Sequence, residues 1–175
     1  MTTTLFHIER ERDSDQAALA KLSAQAFGPG RFARSAYRVR EGVAPVPELS
    51  FTAWLGERLI GGIHFTAIAV GEARGALLLG PLVVDPAEAG KGYGKALVAS
   101  GLAKAKEAGF RIVLLVGDMP YYGRFGFRPV PPAQITLPGP VDPARLLAHE
   151  FTEGALVLAR GVVKALPPSD PRATK

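Results

Sequence analysis

At 175 residues, with 47% hydrophobic and 21% charged residues, the chain suits one domain with a sizeable core, and neither a disordered chain nor a fibre. The absence of cysteine removes disulfide, thiol-nucleophile and thiolate–metal chemistry, and three scattered histidines (His7, His64, His149) argue against a metal site. A net charge of +5 suits an anionic ligand, yet Lys and Arg are dispersed, which argues against a nucleic-acid partner.

No apolar run approaches the ~18 residues of a membrane span, and residues 1–13 lack a secretory apolar region. The expectation is a cytoplasmic protein with no membrane partner, monomeric or homodimeric.

In chain order, residues 5–10 alternate apolar and polar as a short strand. Asp13 or Ser14 caps a predicted helix to about Phe27, with Ala18, Leu19, Leu22 and Ala26 on one face, and Gly28-Pro29-Gly30 stops it. A basic helix is expected over 31–41, then a proline-containing loop to Glu48. Residues 49–55 and 59–70 read as a hairpin around the polar turn at 56–58. A third apolar strand, 75–84, enters a glycine-rich turn, and the helix beyond it runs from Lys95 to about Ala108, with Leu97, Val98, Leu102 and Ala105 facing inward. Residues 111–116 form a buried strand, 119–125 a short helix, 126–130 another strand and 155–163 the last. The organisation is one domain over 1–166 with a disordered tail over 167–175. Hairpin strands followed by βαβ units predict an α/β fold, more fully an α+β mixed sheet with helices on both faces.

The sequence at 80–94, GPLVVDPAEAGKGYG, is the most informative. A strand ending in a glycine turn at a helix N-terminus aims several backbone N–H groups at one point, a cradle for phosphate. Three glycine-turn patterns compete. A P-loop needs four residues before its Gly-Lys-Ser/Thr end, whereas Gly90 and Gly94 enclose three and Ala96 follows Lys95. A dinucleotide fingerprint needs GxGxxG, and the spacing here is GxGxG; Asp118 after the next strand keeps that reading open as an oxidoreductase alternative.

The third pattern is a resemblance. Residues 89–94 (AGKGYG) resemble the Q/R-x-x-G-x-G/A turn of the GNAT superfamily of acyl-CoA N-acyltransferases, and PYYGRFGF at 120–127 resembles that family's F-Y-x-x-x-G-F segment. One helix and one strand separate the two, as in that family. The resemblance implies a GNAT-like fold, with a central, mostly antiparallel mixed sheet flanked by helices. It implies acetyl-CoA as co-substrate, no metal, and acetyl transfer to a primary amine on a small molecule or peptide in a ternary complex. Ala89 stands where the family has Gln or Arg, so the grip on pyrophosphate would rest on backbone N–H groups, with Lys91 and Lys95 as nearby charges.

By the same resemblance the strand at 80–84 splays from its neighbour and pairs with the pantetheine arm. The Leu82 N–H is then the oxyanion donor, Leu82, Val83 and Val84 contact the cofactor, and Ala89, Gly90, Lys91, Gly92, Tyr93, Gly94 and Lys95 surround its pyrophosphate. Tyr122 aligns with the tyrosine that protonates the CoA thiolate; the competing reading is a core aromatic whose hydroxyl caps a backbone group. Tyr121 is expected to pack or to line the cleft, and Gly126-Phe127 to be structural. His64, Glu72, Asp85 and Asp118 are conceivable bases or water holders. The alternating strand favours a core histidine at His64, and Pro86 favours a turn-ordering role for Asp85. Arg31, Arg34 and Arg38 recur at i, i+3, i+7, either as a solvated face or beside an anionic acceptor, and Tyr37 and Trp54 are further cleft candidates. The alternative function on the same fold is a non-catalytic acyl-CoA sensor.

Overall fold

The computed structural model describes residues 3–30 and 34–173. Its long central strands, β3 (Arg58–Val70) and β4 (Ala73–Val84), form a hairpin flanked by β2 (Phe51–Leu55), β1 (Phe6–Arg10) and β5 (Ile112–Val116). Beyond β5 lie β8 (Leu146–Glu150) and β6 (Arg128–Pro129), giving the order β1-β2-β3-β4-β5-β8-β6. A short β7 (Ile135–Thr136) pairs with β9 (Gly161–Ala165), which pairs with the far end of β3. Among the described strands only β4–β5 and β7–β9 are parallel, so the sheet is mixed and mostly antiparallel as predicted.

Period-two alternation sorts the two cores. On β4, Leu77 and Leu79 face the core beneath α3 (Tyr93–Glu107), while Ala76 and Leu78 face the one containing Val39 of α2 (Ser35–Arg40). On β5, Val113 and Leu115 divide from Ile112 and Leu114 in the same way. Successive glycines bring α1 (Gln16–Phe27) and α3 onto opposite faces of β3. A Cβ on Gly62 would lie 2.5 Å from Leu19 of α1, whereas one on Gly61 would lie 3.4 Å from Leu97 of α3.

Several boundaries differ from the sequence expectations. The 31–41 helix contracts to α2, with Arg34 extended at its N-cap; residues 31–33 lie outside the described residues. The helix after the glycine turn starts at Tyr93, two residues early, because Gly92 at φ +89° supplies a left-handed entry. The expected strand at 155–163 is divided: 155–158 form a helical turn, α5 (Ala155–Leu158), and β9 follows. An apolar run of this length suits either state, and the Glu150 carboxylate tips the choice by accepting the Leu156 N–H at 2.7 Å. The strand β8 had no sequence signal, since RLLAHE neither alternates nor begins at a turn residue. The expected disordered tail folds back as far as Ala173. Leu166 N–H donates to the Ala67 carbonyl at 2.8 Å, and Ala173, 2% exposed, joins the main core.

Candidate functional site

Strands β4 and β5 pair only from Ala76↔Ile112 to Leu78↔Leu114 and then diverge, while β4 stays paired with β3 as far as Val84. The β4 edge facing β5 is therefore open beyond Leu78, and unpaired strand backbone is a template for another extended chain. The divergence opens a cavity of about 850 Å³, bounded by Leu79–Leu82 of β4, the end of β5, Tyr121 and Tyr122 of α4 (Met119–Tyr122), and α2.

At the outer end of β4 the glycine turn is stiffened from beneath. Asp85 accepts the Ala87 N–H at 3.0 Å and bonds Arg58 at 3.0 Å, the turn-ordering role expected of it. Arg58 also bonds Glu88, whose other oxygen takes Lys91 Nζ at 2.7 Å. Those two hydrogen bonds hold the Glu88 carboxyl below its ordinary range, and Glu88 in turn raises Lys91. Above this network Gly90 and Gly92 have φ of +77° and +89°, and the amides of residues 90–95 have no backbone acceptor among the described residues. Consecutive unpaired amides around left-handed residues make a concave anion nest. Ala89 and Lys95 are exposed beside it, and Lys95 forms no ion pair among the described residues.

The predicted binding residues separate by side chain. Leu82 and Val84 point toward the start of α3: a Cβ on Gly94 would lie 3.9 Å from Leu82 Cδ2 and 3.5 Å from Val84 Cγ2. Val83 faces away, buried against Leu19 and Leu22 of α1. The Tyr93 ring packs on Phe6 with centroids 4.8 Å apart, which leaves its amide as the group available to the nest. Lys91 is engaged by Glu88.

Tyr121 and Tyr122 stand edge to face, centroids 4.8 Å apart, between the cavity and the turn. Tyr122 is also edge-on to Phe127, and its ring lies against Gly117, where a Cβ would come within 2.5 Å. The Tyr121 hydroxyl reaches the helix start, 2.8 Å from a Cβ built on Gly94. Neither hydroxyl makes a hydrogen bond among the described residues, so Tyr122 does not cap a backbone group. Burial is the main cause that pushes the Tyr122 phenol up to about 12, and it raises Tyr121 as well.

Of the conceivable bases, His64 and Asp118 line the cavity. His64 Nε2 contacts the Glu11 carboxylate, a partner that sequence reading missed because Glu11 lies 53 residues upstream, just past β1. Asp118 pairs with Arg145 at 3.2 Å. Glu72 sits at the β3–β4 turn, at the other end of the hairpin. Trp54 lies outside the cavity, its indole donating to Thr52 at 2.8 Å, whereas Tyr37 lines it.

The expected arginine face is not assembled: Arg31 is outside the described residues, Arg34 stacks on Phe27 at 5.2 Å, and Arg38 donates to the Pro138 carbonyl at 3.4 Å. The arginine that reaches the diverging strands is Arg40, with Nη1 3.0 Å from a Cβ built on Gly80. Among the described residues, neither metal-capable clusters of three or more His, Asp or Glu side chains nor a helix long and apolar enough to cross a membrane occur.

Comparison with known proteins matches this geometry. The profile of the Acetyltransferase (GNAT) family covers residues 17–127. The uncharacterized N-acetyltransferase YhbS of Escherichia coli (strain K12) is 30% identical over 108 residues, spanning 61% of this chain and 65% of that protein, just under two thirds. The crystal structure of YhbS from Escherichia coli in complex with CoA superposes with a TM-score of 0.78 at 26% identity, covering 92% of this chain and 89% of that one. A GNAT family acetyltransferase from Brucella melitensis, in complex with acetyl-CoA, gives 0.60 at 29% identity over 85% of this chain and 97% of that one. A diverging parallel strand pair, a glycine nest at a helix start and a family profile over most of the chain agree, and the chain belongs to the GNAT family of acetyltransferases.

Proposed function

We propose that this chain transfers the acetyl group of acetyl-CoA to a primary amine within a ternary complex. The observation that carries the reading is the open β4 edge beyond Leu78, which runs directly into the nest at residues 90–95. An extended pantetheine arm would pair with that edge while its pyrophosphate meets the amides. The relatives crystallised with CoA and acetyl-CoA support this assignment.

In this reading the thioester carbonyl lies at Leu82, whose N–H stabilises the oxyanion, with Val84 beside the pantetheine amide. The amine nitrogen forms a bond to the carbonyl carbon, and the C–S bond breaks as the tetrahedral intermediate collapses. His64 takes the ammonium proton, with Glu11 fixing its Nε2–H tautomer so that Nδ1 keeps a lone pair. Tyr122 faces the departing sulfur. With its pKa at about 12 against roughly 8.5 for a thiol, full proton transfer is uphill, so the phenol acts mainly as a hydrogen-bond donor to the thiolate.

A thiol-release assay with acetyl-CoA over a panel of primary amines tests the reading, alongside thermal-shift titration with CoA and NADH. Stabilisation by CoA together with amine-dependent thiol release is expected. Stabilisation by NADH alone overturns the acyltransfer reading, and CoA binding without turnover on any amine returns the sensor.

A further inference from the structure

We propose that the acceptor is a small primary amine carrying a carboxylate, as in a free amino acid, and that Arg40 binds that carboxylate at the inner end of the cavity. The inference rests on the acetyltransfer reading and specifies its acceptor.

Arg40 closes α2 and lines the cavity, its Nη1 3.0 Å from a Cβ built on Gly80. Among the described residues its guanidinium makes no hydrogen bond and no ion pair. Burial lowers its pKa to about 10, partly offset by Tyr37, as befits a charge that has lost water without gaining an anion.

The charges along the wall single out Arg40 as the unpartnered cation. Asp118 is paired with Arg145, and His64 with Glu11. The remaining described charges are Arg34, Arg40, Glu41 and Asp142, which sum to zero. Arg34 stacks on Phe27 and Asp142 accepts the Ala144 N–H, which leaves Arg40 as the wall cation with no ion pair, hydrogen bond or ring contact among the described residues. The guanidinium fork suits a planar carboxylate.

Position supplies the size limit. Gly80 precedes Leu82 by two residues, about 7 Å along a strand. An amine attacking the carbonyl at Leu82 and an anion on Arg40 therefore belong to one small molecule, with few bonds between them. The anion site lies on the opposite side of Leu82 from the nest, so it does not compete with the pyrophosphate.

The test compares amino acids, their carboxamides, the matching decarboxylated amines and aminoalkyl phosphates. Thiol release is read for wild type, Arg40→Gln and Arg40→Lys, and binding to the CoA-saturated protein is read by calorimetry. Wild type should favour the acid over its amide by roughly 10- to 100-fold in kcat/KM, the worth of one charged hydrogen-bonded pair. Arg40→Gln should bring that preference within about twofold, and Arg40→Lys should keep part of it.

CoA affinity should be equal in all three proteins, and Arg40→Gln should melt no lower than wild type, because it removes an unpaired buried charge. Calorimetry keeps the proposal testable if no amine turns over. Amino acids that bind wild type and not Arg40→Gln support it even then. Equal handling of acid and amide by wild type, preference for the phosphates, or binding unaffected by Arg40→Gln overturns it.

Discussion

Replacing Gly94 with alanine separates stability from cofactor binding. In an exposed helix interior the change favours the helix by about 1 kcal/mol. Gly94 is second in α3 and its φ is not left-handed, so no backbone strain offsets that gain. The new Cβ meets the Tyr121 hydroxyl at 2.8 Å, and the phenol must retreat by roughly half an ångström to restore ordinary contact. Tyr121 is edge-on to Tyr122 at 4.8 Å and carries Arg124 over its ring at 5.2 Å, so the displacement reaches the proposed thiolate donor. The methyl also occupies space between Leu82, Val84 and the helix start, where the cofactor is expected. The melting temperature should stay within about 2–4 °C of wild type, the equivalent of 1 kcal/mol in a chain this long. CoA affinity should fall about tenfold, roughly 1.4 kcal/mol, about one weakened amide–phosphate bond. Thermal denaturation and calorimetric titration with CoA read the two effects. A variant with wild-type CoA affinity and wild-type turnover would refute the placement of the cofactor against this turn.

Tyr122→Phe should lower kcat by roughly 10- to 100-fold while leaving CoA affinity within about twofold. Because burial raises the folded-state phenol from 10 to about 12, its contribution to stability is complete below pH 10 and disappears as the pH rises through 12. Between those limits wild type should lose roughly 3 kcal/mol more than Tyr122→Phe, measured by denaturant unfolding at each pH; parallel losses would contradict the shift. Glu11→Gln should reduce kcat about tenfold or more with an unchanged KM for acetyl-CoA; a change in KM alone would remove His64 from the chemistry. Gly101→Ala drives a methyl to 2.4 Å from the Phe65 ring, which is fully buried, and should cost about 1–3 kcal/mol in denaturant unfolding. No loss there would mean that α3 can lift from the sheet.

The parts legible in the sequence were those set by local chemistry. The β2–β3–β4 hairpins follow from alternation and turn residues, and α3 from its apolar stripe, which is why their bounds moved by only a few residues. The glycine nest was legible for the same reason, since its backbone conformation is written in Gly90 and Gly92 themselves. What escaped depends on distant partners. The helical turn α5 is decided by a carboxylate six residues away, and β8 acquires its identity from pairing with β5. Glu11 becomes interesting only once folding sets it against His64. The arginine periodicity assumed a helix four residues longer at its start; without it, Arg34 lines the cavity stacked on Phe27, and the arginine that reaches the diverging strands is Arg40, which the i, i+3, i+7 pattern omits.

The fastening of Lys91 by Glu88 has a consequence for how a ligand is approached. A free lysine on the loop would attract a polyphosphate from a distance; a lysine already matched by a carboxylate contributes almost no monopole. What remains at the turn is a set of backbone dipoles, whose field decays faster with distance than that of a net charge, beside one exposed cation, Lys95, that forms no ion pair among the described residues. Long-range attraction then falls to Lys95, and the amides act at contact. The nest selects an anion by whether its oxygens fit several fixed N–H directions at once, and leaves capture from solution to that single lysine.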